Sequence, residues 1–194
     1  MSEFATFEDR KTMIKYYSDF IVKPKFLEIG IFKGDFFDYI VNHCDIHSID
    51  GVDLFTGVTC SGDVDGNNVV HCDIEKCYFD LLEKYKDMPN VNLHKSDSVN
   101  FLKQREDNYY DIIYIDGDHS YNGVKNDLFH SLYKVKHGGY IMGHDYEMNY
   151  AKAMNSYNFG VKEAVDEFCD KYNQKFVAKV MDGCVSYCIK INKQ

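Results

Sequence analysis

The 194-residue chain has only two prolines, Pro24 and Pro89, and each stands just before a strand-like segment. It has no apolar run near the roughly 18 to 20 residues of a membrane span, and MSEFATFEDRK lacks the basic-then-apolar pattern of a signal peptide. These absences predict a soluble cytoplasmic protein with no membrane partner. Positive charge is also short: 22 basic against 31 acidic side chains leave a formal charge of -9, a surface that repels polyphosphate. Nucleic acid is therefore not expected as a partner. Low-complexity tracts, internal repeats and an interdomain linker are missing too, and the length suits one domain.

Among the seven cysteines no two are spaced CxxC, and the odd count in a chain long enough to manage without staples predicts free thiols. His71, Cys72 and Cys77, with Cys60 upstream, match none of the usual zinc spacings. The one long polar loop, Thr56 to Asn68 (TGVTCSGDVDGNN), invites a calcium reading at DVDGNN. The twelve-residue spacing with a terminal glutamate does not follow through.

What the chain does have is 45% hydrophobic residues in a regular pattern. Phe4, Phe7, Ile14, Tyr17 and Ile21 mark an amphipathic helix over 4–21. Its plain role is packing at a sheet edge, with a lid or a homodimer contact as alternatives. From Lys25 onward, short apolar runs alternate with helical stretches, the signature of a parallel sheet with crossover helices. Strands are predicted at 25–30, 47–53, 91–95, 111–116 and 138–143, and helices at 34–44, 73–87, 97–105, 121–135 and 160–173. FVAKVM and VSYCIKI flank Asp182-Gly183, a strong hairpin signal. The fold expected is α/β, Rossmann-like and doubly wound, a mostly parallel seven-stranded sheet ending in an antiparallel hairpin, with an N-terminal helix over 1–24 and the main domain over 25–194.

Four places carry chemistry. In Glu28-Ile29-Gly30-Ile31-Phe32-Lys33-Gly34 a buried strand runs into a turn whose glycines let a ligand approach the backbone. The GxGxxG spacing of dinucleotide enzymes is absent, which counts against NAD. Asp53, closing the next strand about 20 residues beyond Gly34, is placed to accept from ribose hydroxyls, with Asp50 a competitor inside the strand. Ser96-Asp97-Ser98 follows the third strand, as a helix cap, a ligand contact or both. Finally, DIIYIDGDHSY ends in Asp116, Asp118 and His119, and GGYIMGHDY supplies His144 and Asp145. Open α/β sheets bind ligands beyond the carboxyl ends of their strands, so these groups should converge with Glu28, Asp53 and Asp97. Histidines and carboxylates gathered there resemble a divalent metal site.

Together, EIGIFKG, GVDLF, the turn near Asp97, IDGDHSY and GGYIMGHDY resemble the class I S-adenosylmethionine-dependent methyltransferases over about residues 25–191. DGDHSY and GHDY resemble the branch that holds the metal-dependent sugar O-methyltransferases of macrolide and aminocoumarin biosynthesis and, more distantly, the catechol O-methyltransferases. The resemblance implies an enzyme that binds S-adenosylmethionine through Glu28, Gly30, Gly34, Asp53, Ser96, Asp97 and Ser98. It implies a divalent cation, magnesium or manganese, held by Asp116, His144 and Asp145, and His119 as the base. The implied partner is a small-molecule or glycan acceptor with a sugar hydroxyl, catechols being the alternative. A non-catalytic nucleoside-binding module and a nucleic-acid methylase are the competing classes. His144 departs from the branch, where a carboxylate is common; imidazole suits manganese, iron or zinc better than magnesium, or His144 stands aside and Asp118 completes the site. Tyr146, Tyr150 and Tyr157 form either an acceptor wall or a surface connection.

Overall fold

The computed structural model describes residues 6–61, 70–147 and 159–193. Among them the strands are β1 (Lys25–Ile29), β2 (Ser48–Asp53), β3 (Val58–Ser61), β4 (Val70–Asp73), β5 (Val91–Lys95), β6 (Tyr110–Ile115), β7 (Val135–Gly143), β8 (Lys175–Asp182) and β9 (Cys184–Lys190). The helices are α1 (Arg10–Asp19), α2 (Asp35–His43), α3 (Ile74–Tyr85), α4 (Ser98–Lys103), α5 (Tyr121–Lys134) and α6 (Val161–Lys171).

Seven strands make one sheet in the order β5-β2-β1-β6-β7-β9-β8. The first five run parallel, and β9 and β8 complete it antiparallel. The expected sheet and terminal hairpin are both present. Central strands are covered on two sides, so they read as continuous apolar runs, while their side chains still alternate between faces. Phe26, Ile49, Ile112 and Tyr114 face one core with Met13, Ile14, Phe37 and Ile40. Leu27, Val52, Ile113 and Ile115 face the other with Leu128, Val165 and Phe168. A parallel sheet order that steps outward from β1 in both directions leaves a crevice at the carboxyl ends of β1 and β6, where ligands bind in such folds.

Two elements differ from expectation. The N-terminal helix begins at Arg10 instead of residue 4, because Asp9 caps it: the Asp9 carboxylate accepts the Thr12 amide at 2.7 Å, and the Thr12 hydroxyl accepts the Asp9 amide at 3.2 Å. Phe7 precedes the cap and packs edge-on against Tyr16; Phe4 lies outside the described residues. The segment expected to be one polar loop, 56–68, carries β3, which pairs antiparallel with β4 just beyond it, from Val58↔Asp73 to Ser61↔Val70. Four-residue strands are too short for alternation to announce them. DVDGNN lies outside the described residues, as do Tyr150 and Tyr157. So do the side chains of Cys60, His71 and Cys72. Cys44, Cys169, Cys184 and Cys188 are free thiols. No described helix is long and apolar enough to cross a membrane.

Candidate active site

A cavity of about 650 Å³ opens over the carboxyl ends of β1, β2, β5 and β6. Its floor on the β1 side is backbone. Gly30 turns the chain at φ +86°, and a Cβ there would sit 2.2 Å from the Asp116 carbonyl oxygen, so only glycine lets the two loops touch. Asp53 holds this loop in place: one carboxylate oxygen accepts the Ile31 and Phe32 amides at 2.8 and 2.9 Å, and the other accepts Phe55 N–H at 2.7 Å. Its competitor Asp50 is buried within the sheet, where it receives the Tyr110 hydroxyl and the Asn92 amide. Glu28, 2% exposed, lines the cavity with Oε2 lacking a partner. Burial, joined by the charges of Asp116 and Asp53, pushes its carboxyl well above the usual range.

Ser96, Asp97 and Ser98 form the wall beyond β5. Asp97 caps α4 by accepting the Asn100 amide at 2.8 Å, so the cap and the cavity position coincide. The Ser98 hydroxyl donates to Asp127 Oδ1 at 2.6 Å. Asp127 lines the same wall and was not anticipated. The signal for it is an acid on the buried stripe of a helix, between Val124, Leu128 and Ser131.

At the opposite end, charged side chains from four segments meet. Ligand atoms of Asp116, His144 and Asp145 lie within 4.8 Å of one another. His119 Nε2 is 3.4 Å from Asp116 Oδ1 and 3.1 Å from Asp145 Oδ2, and its ring stacks on Phe159 at 5.1 Å. His144 Nδ1 is 3.2 Å from Asp145 Oδ1, while Nε2 faces Asp182 Oδ1 at 3.4 Å. Arg10 closes the cluster from α1. Its Nη1 donates to Asp116 Oδ2 at 3.1 Å, its backbone amide donates to Asp182 at 3.0 Å, and its guanidinium lies 4.9 Å over the Phe36 ring. Neither Arg10 nor Asp182 was assigned to the site from sequence: nothing local marks Arg10, and the local signal at Asp182 is only that of its hairpin turn.

The charges set the proton affinities. Burial lowers those of both histidines. The Asp116 bond and the charges of Asp145, Asp116 and Asp118 outweigh it at His119, and Asp145 and Asp116 do so at His144, so both are raised. Burial works against ionisation of Asp145, but His144 and His119 prevail and hold it below the ordinary range.

Two expectations are corrected here. Asp118 does not join the cluster; its carboxylate accepts the amide and hydroxyl of Ser120 at the start of α5. Tyr146 is no acceptor wall, being 4% exposed with its hydroxyl donating to Asp166 at 2.6 Å and its ring against Phe176 and Tyr187. The chain turns inward after Asp145, at φ +57°, and carries Tyr146 into the core.

A family model described as a methyltransferase domain matches residues 27–146. No curated protein matches the chain. Among solved structures, it is similar to the N-methyltransferase NodS from Bradyrhizobium japonicum WM9 in complex with S-adenosyl-L-homocysteine (TM-score 0.65, 11% identity, 95% of this chain and 86% of that one). It is similar to a putative caffeoyl-CoA O-methyltransferase from Staphylococcus aureus (0.65, 13%, 97% and 86%). A putative rRNA methylase from Clostridium thermocellum is a third (0.66, 15%, 98% and 99%). At these identities the likeness is one of fold.

Proposed function

The chain belongs to the methyltransferase-domain family and is an S-adenosylmethionine-dependent methyltransferase, and we propose that its acceptor is a hydroxyl of a sugar or glycan, methylated with the help of a divalent cation. The observation that carries this reading is the meeting of Asp116 and His119, which line the cavity, with His144 and Asp145 packed against them.

Methyl transfer from a sulfonium forms a carbon–oxygen bond as the carbon–sulfur bond breaks, and a neutral thioether leaves. Two things remain for the protein: to hold the acceptor oxygen in line with the methyl carbon, and to take the hydroxyl proton. The Gly30 loop and Asp53 fix the cofactor side. His119, which lines the cavity, takes the proton, its ring plane held by Phe159. With its proton affinity raised by the carboxylates, His119 becomes a base as pH rises, so transfer should speed up from acid toward alkaline pH.

Two carboxylates and an imidazole are a donor set that suits a divalent cation, manganese better than magnesium. Asp116, His144 and Asp145 would hold it, and it would supply polarisation of vicinal acceptor oxygens. Three aspartates, Asp116, Asp145 and Asp182, against one Arg10 leave negative charge for it to neutralise.

The test is acceptor screening with manganese, magnesium or chelator, beside calorimetry with S-adenosylhomocysteine. Sugar hydroxyls should be methylated only with the cation present. Asp116→Asn should lose about 10²-fold or more in turnover while binding S-adenosylhomocysteine as the wild type does. Methylation of catechols alone, or undiminished turnover in chelator, would overturn the reading.

A further inference from the structure

Helix α1 buries one face and leaves another bare. Met13, Ile14, Tyr17 and Ser18 are buried, while Tyr16 and Phe20, one turn apart on the adjoining face, are 45% and 65% exposed. Phe7 joins them from the segment before the helix: its ring meets the Tyr16 ring edge-on with centroids 5.1 Å apart, and Tyr16 meets Phe20 edge-on at 4.8 Å. Val22, just past the helix, is 94% exposed. Surface apolar residues are ordinary when scattered, but rings packed into a contiguous ladder mark an interaction site. The ring contacts hold these side chains in place beforehand, so little rotamer entropy is left to lose on association.

The charges beside the ladder say what it docks. Lys15 precedes Tyr16 and Asp19 precedes Phe20, so the two charges run along one flank of the helix, where they pair with each other. A flank of positive sign alone would suit an anionic membrane, and a flank of either sign alone a partner of the opposite one. Here the signs are balanced and ordered. When a helix packs antiparallel against its own copy about a two-fold axis, each flank faces the same flank of the second copy with the chain direction reversed. Lys15 then faces Asp19 of the second copy, Asp19 faces its Lys15, and the rings of Tyr16 and Phe20 meet across the axis. The order of charges is self-complementary, which an unrelated partner would not require.

We propose that α1 is the interface of a homodimer, two copies pairing antiparallel through Phe7, Tyr16, Phe20 and Val22, with Lys15 and Asp19 forming two ion pairs across the axis. Only a few apolar side chains of each copy are covered, so the dimer forms as concentration rises and dissociates on dilution. The same helix carries Arg10 to Asp116 and Asp182, which places the interface on the element that closes the charged cluster.

Sedimentation velocity of the full chain, from micromolar to submillimolar concentration, tests this. Wild type should pass from monomer to dimer. Tyr16→Ser/Phe20→Ser should weaken association about 100-fold or more, with the melting temperature kept because both rings lie outside the core. Charge variants leave the rings in place and serve if that variant does not fold. Lys15→Glu and Asp19→Lys should each weaken the dimer about tenfold, since each sets like charges together at both contacts. Mixed in equal amounts, these two variants should form a mixed dimer about as tight as wild type, and Lys15→Glu/Asp19→Lys in one chain should do the same. A wild type that stays monomeric throughout overturns the inference. So does a dimer indifferent to loss of the rings, which would lie on another surface, and so does a mixture that pairs no better than its components.

Discussion

The two ends of the cavity are built by different means. On the β1–β2 side the surface is built on the Gly30 loop with the buried Glu28 lining it, and Asp53 spends both oxygens on three amides of its own loops. On the β6–β7 side the surface is side-chain charge, with Asp116, His119, His144, Asp145, Asp182 and Arg10 balancing one another. A backbone cradle depends on a few local dihedrals and yields only at its glycines. A charge cluster depends on segments far apart in the chain, and any single substitution unbalances it. The glycine end is thus fixed by local geometry, and the charged end is open to tuning by substitution.

The sharpest way to break that contrast is Gly30→Ala. A Cβ 2.2 Å from a backbone oxygen, on a residue at φ +86°, has nowhere to go. Melting should show a loss of about 3 kcal/mol or more, and calorimetry should show S-adenosylhomocysteine binding gone. A variant with unchanged melting and binding would mean that the cradle is soft after all.

Asp127, in the wall with Ser98, gives an effect with a pH signature. Its folded carboxyl is raised to about 6 from 3.8. Between those values the folded protein keeps a proton that the unfolded chain releases, so stability falls as pH rises through this window and stays lower above it. Asp127→Asn removes the penalty. Denaturant unfolding should show it more stable than wild type by about 3 kcal/mol near pH 7.5, with the difference nearly gone near pH 4. An equal difference at both pH values would mean that burial of the charge is not what Asp127 costs.

The smallest effect is expected at Arg10, whose ion pairs are partly exposed. Arg10→Ala should cost about 1 kcal/mol. It should also make Lys11 and Lys15 on α1 easier to cleave with trypsin, since α1 loses its tether to Asp116 and Asp182. With the competing positive charge gone, manganese should bind several-fold more tightly in paramagnetic resonance titrations. Unchanged manganese affinity would separate Arg10 from the carboxylates electrically, and the balance described for that end would fail.

Most of the sheet is legible in the chain. The runs ending at Ile29 and Ile115 are apolar because both faces of those central strands are covered, and Asp182-Gly183 marks its hairpin by local turn chemistry. Strand ends then point to the cavity, which is how Glu28, Asp53, Asp97 and Asp116 come to share it. What escaped is nonlocal or too short. Arg10 and Asp116 are 106 positions apart, and Arg10 and Asp182 are 172. Tyr146 follows two site residues yet turns into the core, because the backbone reverses at Asp145. β3 and β4 have four residues each, too few for a period of two to show.

Sequence by itself determined what short-range physics can write into neighbouring residues: strand and helix periods, the Gly30 turn, the Asp9 and Asp97 caps, and the presence of acids and histidines where strands end. Tertiary structure alone decided which of those groups meet, which acid is spent on its own loop, and that an arginine from the first helix pairs with aspartates just after the sixth strand and in the last hairpin. The reason is one of range. Dihedral preference and hydrogen-bonded turns act over three or four residues, whereas the balance of charge at the site sums groups that only the packed fold brings within a few ångströms of each other.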